Sequence, residues 1–288
     1  MRAAYLGCRE TIGTDRRRTD AFEHDQMMEA LSSAFAAKSD TIEAVRWDNS
    51  AVDWADYDAV LIGSCWDYQD RLEEFLGTLH AIEAQTMLSN SAALVTWNCR
   101  KTYLRALESQ GVPIVPTLWI DAPASDWIGG VFEALGTDRI VVKRQIGANA
   151  EGQFLLHRGD TPPSVDATVM VQPFIESIAI EGEISFVLID GAVSHTLVKR
   201  PASGDYRVQS SYGGMETTLD PSPADLASAK AVAAKIPGEW LYARVDMVRG
   251  RYGQLMLMEL ELIEPFLYPL QGDRLGDLIH AALTRRLG

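Results

Sequence analysis

Cysteine is scarce in this 288-residue chain, and its three copies, Cys8, Cys65 and Cys99, stand far apart. With no CxxC pair and no even-numbered framework, they suggest neither a zinc knuckle nor a disulfide scaffold. Free thiols fit a reducing compartment, so the expected location is cytoplasmic. No apolar run approaches the roughly 20 residues that cross a bilayer. The short apolar segment after Met1 also lacks the pattern of a secretory signal, and no membrane partner is expected. Basic charge is in deficit: 26 lysines and arginines against 40 aspartates and glutamates leave a formal net charge of −14. A nucleic-acid partner needs basic surface and is therefore not expected. A nucleotide is not excluded, because a few local cations and a metal can meet its phosphates. GxSxG and HExxH are missing too, so no protein nucleophile or zincin site is visible.

What is present is alternation. AAYLG at 3–7, a segment at 41–47 and YDAVLIG at 57–63 read as short buried strands, with helical spacing at 22–35 and 72–83 between them. Buried strands alternating with helices imply a parallel sheet covered on both faces, an open α/β unit. A helix ending near Leu107 follows, and Pro113 and Pro116 keep the next stretch extended. Thereafter strands dominate: RIVVK, QFLLH, TVMVQPFI, GEISFVLID, AVSHTLVKR, and a pair at 241–248 and 254–263. The expected class is α/β followed by mostly antiparallel α+β.

The pair at 241–263 is a hairpin with RGRYG as its turn, where two glycines supply positive φ. Centred there, Asp246 lies opposite Glu259, and a period of two puts Glu261 on the same face. The same reading sets Leu255 and Leu257 beside the glutamates, and Met256, Met258, Leu260 and Leu262 on the other face. Buried carboxylates this close need a cation or a shared proton, and an all-oxygen set suits magnesium. The competing reading is a solvated acidic edge, or salt bridges to Arg244 and Arg249.

Upstream, Lys143 ends the apolar strand RIVV, a place for a charge that meets an anion. Gly147, Ala148, Ala150 and Gly152 follow it, small residues that admit backbone amides to a phosphate. A strand comes next, so this loop is a hairpin lid rather than a Walker or GxGxxG cradle. Lys101 opens a helix after Asn98. Arg207 sits in the Gly-rich GDYR segment, suited to a carboxylate or acyl-phosphate by a bidentate bond, or else to a plain surface turn. Arg244 shares the face of Asp246. Strand ends in the first unit should supply substrate contacts: Trp66, Asp67 and Tyr68 after one strand, and Arg9 after another. His195 and Lys199, which share a later strand, are further substrate candidates, a packed core histidine being the competing reading for His195.

Taken in order, Lys101, Lys143 in VVK, the small-residue lid, VQPFI, GEIS, KR…GDYR, Asp246 and ELE resemble the ATP-grasp ligases. The subgroup is that of the ribosomal-protein glutamate ligases and glutathione synthetases, and the resemblance spans about residues 95–270. It implies a Rossmann-like N-terminal domain over 1–94, then an ATP-grasp fold of two antiparallel α+β subdomains. The central one with its lid covers 95–170, and the C-terminal one with the metal site covers 171–288. It implies that Lys101 and Lys143 contact ATP phosphates, and that Gln172, Phe174 and Ile175 form a hinge beside adenine. Glu183 would bind ribose, and Arg207, with Lys143, would stabilise the transferring phosphoryl group or the acyl-phosphate. Arg244, placed by its position two residues before Asp246 rather than by the resemblance, is a further catalytic candidate that binds the substrate carboxylate or offsets the acids. Asp246, Glu259 and Glu261 would hold Mg2+ as two ions, with Mn2+ able to substitute. Three positions depart from the family: Glu261 replaces an asparagine, Pro173 an acidic residue, and Ser185 an arginine.

The phrases GSCWDY, LYARVD and ELELIEP are similar to those of the cycloserine-forming members, which cyclise O-ureido-D-serine. The implied activity is ADP-forming carbon–nitrogen ligation on an amino-acid-like substrate, in a family that commonly forms homo-oligomers. Another carboxylate–amine ligase, a metal-dependent hydrolase and a non-catalytic nucleotide-binding regulator are the alternatives.

Overall fold

The computed structural model describes residues 1–13, 17–121, 127–147, 152–165 and 167–288. Strands β1 (Arg2–Gly7), β2 (Thr41–Arg46), β3 (Ala59–Ile62) and β4 (Met87–Ser89) form a parallel sheet in the order β2-β1-β3-β4. Helices α1 (Arg9–Ile12), α2 (Phe22–Ala36) and α3 (Leu72–Glu83) make its crossovers. Alternation along β1 explains the two covered faces. Ala3 and Tyr5 join Met27, Leu31 and Phe35 of α2, while Ala4 and Leu6 join Phe75 and Leu79 of α3.

Helices α4 (Ala92–Asn98) and α5 (Tyr103–Ser109) lead into β5 (Leu118–Ile120), α6 (Val131–Leu135), β6 (Arg139–Arg144), β7 (Phe154–His157) and β8 (Val169–Pro173). These four strands form an antiparallel sheet in the order β5-β8-β6-β7. Its own small core holds Phe132, Ile140, Val142, Leu156, Val169 and Val171. Then come α7 (Ser177–Ile180), β9 (Glu183–Ile189), β10 (Ala192–Arg200), β11 (Met215–Thr218), α8 (Pro223–Ala233), β12 (Tyr242–Arg249), β13 (Leu255–Glu261) and α9 (Leu275–Leu287). The last five strands make a second antiparallel sheet, ordered β11-β10-β9-β12-β13.

Packing ties these parts together across the chain. Leu94, Tyr103, Leu104 and Leu107 of α4 and α5 lie in one core with Phe186, Val245 and Leu257 of the five-stranded sheet. Strand β13 is an edge, and edges need cover. The Asn98 amide nitrogen donates to Leu260 O at 3.0 Å, Leu260 N donates to the Tyr103 hydroxyl at 2.9 Å, and Leu257 N donates to Pro113 O at 2.8 Å. Buried Asn90 donates to the carbonyls of Tyr242 and Leu262, and so seats the parallel sheet on the same edge. Among the described residues, no helix is long and apolar enough to cross a membrane.

The hairpin has the expected register at its outer end, with Asp246 opposite Glu259 and Arg244 opposite Glu261. Between Asp246 and Met247 the register shifts, leaving Met258 as a bulged residue without a partner. An extra residue reverses the alternation beyond it. The expected faces are therefore corrected: Leu255 and Leu257 enter the core with Met247, while Met256 and Met258 lie with Val248 and Val115.

Candidate active site

A cleft opens between the two antiparallel sheets, and its charged floor follows from strand register. Asp246 on β12 pairs with Ser185 on one side and Glu259 on the other. Arg244 pairs with Glu261, and Lys199 with Glu183. Residues directly opposite share a face, so four strands lay their polar side chains in cross-strand rows. Asp246 is 2% exposed. The Arg244 Nε donates to its Oδ2 at 3.0 Å, Lys199 Nζ stands 3.2 Å from the same oxygen, and the Ser185 hydroxyl donates to Oδ1 at 2.5 Å. Burial alone would raise this carboxyl, but Arg244 and Lys199 outweigh it and hold the group at about 2. Glu261 shares the Arg244 guanidinium. Burial, reinforced by Glu259 and Asp246, lifts it to about 7 against the pull of Arg244. Burial works on Glu259 too, yet its salt bridge to Lys101 and the nearby Lys143 bring it below its ordinary value.

The roof comes from the four-stranded sheet. Lys143 on β6 places Nζ 3.2 Å from the Met258 sulfur, and burial lowers its pKa. Lys101, just before α5, also donates to Gly147 O at 2.9 Å. Gln172 on β8 is 2% exposed and lines the cleft beside Phe174 and Ile175. Its Nε2 donates to Thr117 Oγ1 at 3.0 Å, while its Oε1 is buried without a partner among the described residues. Arg207 lines the cleft from a loop. Its Nε and Nη2 bind the Asp205 carboxylate at 3.0 and 2.7 Å, and its guanidinium carbon lies 3.6 Å from the Tyr212 ring centre.

The far end is walled by Trp66, Tyr68, Phe266 and Tyr268, with Glu23, Ser210 and Glu264 among them. Glu23 reaches in from α2 and accepts from Ser210 Oγ at 2.6 Å. Burial pushes Glu23 up to about 7 and Glu264 up to about 8. Neither acid was expected from the sequence. Glu264 is the next acid after ELE and was visible as such, whereas nothing near Glu23 in the sequence signals its distant partner Ser210 or the cleft they share.

Three expected substrate contacts are corrected. Arg9 is exposed on α1 and does not line the cleft. Asp67 turns away, accepting from Trp47 Nε1 at 2.7 Å and pairing with Arg71. His195 lies in a separate groove near Asp220 and Lys230, its ring stacked on Gly272 so closely that a Cβ there would collide. Trp66, Tyr68 and Lys199 do line the cleft. Ala148 and Ala150 of the lid lie outside the described residues.

The three expected metal ligands lie on one face but do not close into a cage. Among the described residues, no group of three or more His, Cys, Asp or Glu side chains stands close enough to hold an ion. The physical reason is local: Arg244 draws Asp246 and Glu261 to itself, and Lys101 draws Glu259. The donor set still fits a hard divalent cation. It offers carboxylate oxygens only, on one face, and such an ion takes its remaining ligands from phosphate and water.

Residues 4–90 match the family model for the N-terminal domain of D-cycloserine synthetase DcsG. The cycloserine biosynthesis protein DcsG of Streptomyces lavendulae is 30% identical over 264 residues, covering 84% of this chain and 88% of that protein. The crystal structure of D-cycloserine synthetase DcsG is similar with a TM-score of 0.86 at 25% identity, covering 100% of both chains. D-alanine–D-alanine ligase from Bacillus anthracis complexed with ATP shares the fold, with a TM-score of 0.68 at 16% identity over 100% of this chain and 97% of that one.

Proposed function

The chain belongs to the family of the cycloserine biosynthesis protein DcsG, among the ATP-grasp ligases, and from that premise we propose that it closes O-ureido-D-serine to D-cycloserine. It is an ATP-dependent carbon–nitrogen ligase that forms ADP. The γ-phosphoryl group passes to the substrate carboxylate, and the ureido nitrogen bonded to oxygen displaces phosphate from the acyl-phosphate, forming the ring amide. Water then cleaves the carbamoyl group from that nitrogen, and it leaves as carbon dioxide and ammonia.

Such a transfer depends on positioning and charge neutralisation rather than on a protein nucleophile. Lys143 meets the phosphates from the roof, and Lys101 does so from the helix start. Magnesium held by Asp246, Glu259 and Glu261, as two ions, supplies the remaining positive charge. Glu183, whose carboxylate pairs with Lys199, offers its other oxygen to the ribose. Gln172, Phe174 and Ile175 border the base. Arg207, already fixed on one edge by Asp205, presents its free edge to the transferring group, and Arg244 steadies the floor acids. Trp66 and Tyr68 wall the substrate, and Glu23 and Glu264 face its ammonium group.

The observation that supports this reading best is the Ser185–Asp246–Glu259 row on the floor, with Lys101 and Lys143 across from it. Incubation of the purified protein with MgATP and O-ureido-D-serine should release ADP and yield cycloserine by mass spectrometry. Asp246→Asn should lower the rate by about 100-fold or more, since it removes charge from the phosphoryl-transfer centre. Glu261→Asn should stay within about tenfold, because asparagine keeps an oxygen for Arg244 and for a metal. An Asp246→Asn enzyme as active as the parent would refute the assignment.

A further inference from the structure

We infer that Thr117 decides which nucleobase the cleft accepts, by fixing the orientation of the Gln172 carboxamide. This rests on the nucleotide reading of the cleft. A threonine hydroxyl carries one proton and can accept with its lone pairs. The Thr117 proton goes to the carbonyl of Val115, 2.7 Å away, and a carbonyl has no proton to return. Toward Gln172 the hydroxyl is therefore only an acceptor, and what it accepts, at 3.0 Å, is the Nε2 donor. An amide otherwise turns over freely with little change in shape. Here the chain of bonds from Val115 through Thr117 holds the nitrogen on the threonine and leaves the oxygen unpaired on a side chain that lines the cleft.

Position holds this arrangement as firmly as bonding does. Gln172 lies within β8, paired with Val141 of β6, while its neighbour Val171 pairs with Leu118 of β5, next to Thr117. Its side chain is 2% exposed, and Oε1 has no partner among the described residues. A buried acceptor left unpaired carries a desolvation penalty that a ligand donor relieves. The 6-amino group of adenine is such a donor. The 6-oxo group of hypoxanthine or guanine would set two acceptors face to face. Thr117 is thus a positioning residue that acts through Gln172.

ATP and inosine triphosphate share ribose and phosphates and differ at this edge of the base, so their ratio isolates the effect. Titration calorimetry with each magnesium nucleotide should show the wild type favouring ATP by about tenfold or more. Thr117→Val frees the amide to turn, weakening ATP, strengthening inosine triphosphate and bringing the ratio to about twofold. Thr117→Ser keeps the hydroxyl and should restore it. In a Gln172→Met background, Thr117→Val should change the ratio no further, which separates relay from general damage. That background also provides a readout if the single valine variant folds poorly. An unchanged ratio in Thr117→Val, an equal shift in the Gln172→Met background, or a wild type that binds both nucleotides equally would overturn the inference. Binding of neither nucleotide would instead remove the ATP reading itself.

Discussion

Asp246 and Glu23 are both carboxylates withdrawn from water, yet one is held at about 2 and the other near 7. The difference is the partner. Asp246 has Arg244 and Lys199 within salt-bridge distance, whereas Glu23 accepts from the neutral Ser210 hydroxyl and feels Asp20 as a like charge. A raised carboxyl binds its proton more tightly in the folded chain than in the unfolded one. Its contribution to stability is therefore fully present below the unfolded value, about 4.3, and is lost as pH rises through about 7. Glu23→Gln keeps an acceptor for Ser210 without the charge. It should stabilise the fold by about 1 kcal/mol at pH 8 and by almost nothing at pH 4.5, the full linkage value being discounted for partial exposure. Urea denaturation at both pH values measures this, and a variant whose pH slope equals that of the parent would contradict it. Some slope should persist, because Glu264 is lifted in the same direction.

Close approach between elements shows most clearly where α9 meets α2. A Cβ at Gly276 would collide with the carbonyl oxygen of Ala30 and crowd the Ala34 side chain. The same contact carries the Phe35–His280 ring pair, edge-on at 4.9 Å, and the His280–Asp40 bond at 2.6 Å. Gly276→Ala should cost about 2 kcal/mol, in the range of overpacked cores, seen as a lowered melting temperature. A melting temperature equal to that of the parent would mean that α9 does not dock as described. This contact was not readable in advance, since a glycine in a helical pattern carries no record of what lies opposite. The floor acids were readable, because a turn marked by two glycines pairs the two strands to within a residue and period-two spacing keeps Glu259 and Glu261 on one face. The bulge at Met258 was not: with Leu255 to Met258 all apolar, the period that would reveal an extra residue is invisible. Arg9 and Asp67 misled for a related reason. Position after a strand end says that a residue is near the rim, not which way its loop turns.

At the scale of the molecule, a chain of net charge −14 gathers Lys101, Lys143, Lys199, Arg207 and Arg244 around one cleft. Lys143 belongs to the four-stranded sheet, whose own core is small and which reaches that of the five-stranded sheet through Met170 and Trp119. A nucleotide held by both walls would add a link between two sheets that meet at that contact patch. Ligand binding stabilises whatever it binds only when folded, by about 2.7 kcal/mol at a hundredfold excess over Kd. The gain should therefore appear as slower amide exchange in both walls, at β6 and β8 above and at β12 and β13 below. The β1 to β3 ladders, which lie outside the cleft, should change little. Hydrogen exchange followed by mass spectrometry, with and without MgATP, measures each segment. Protection confined to one wall would show that the nucleotide does not bridge them, and Asp246→Asn should remove the lower-wall protection first because it cuts the floor's hold on the phosphates.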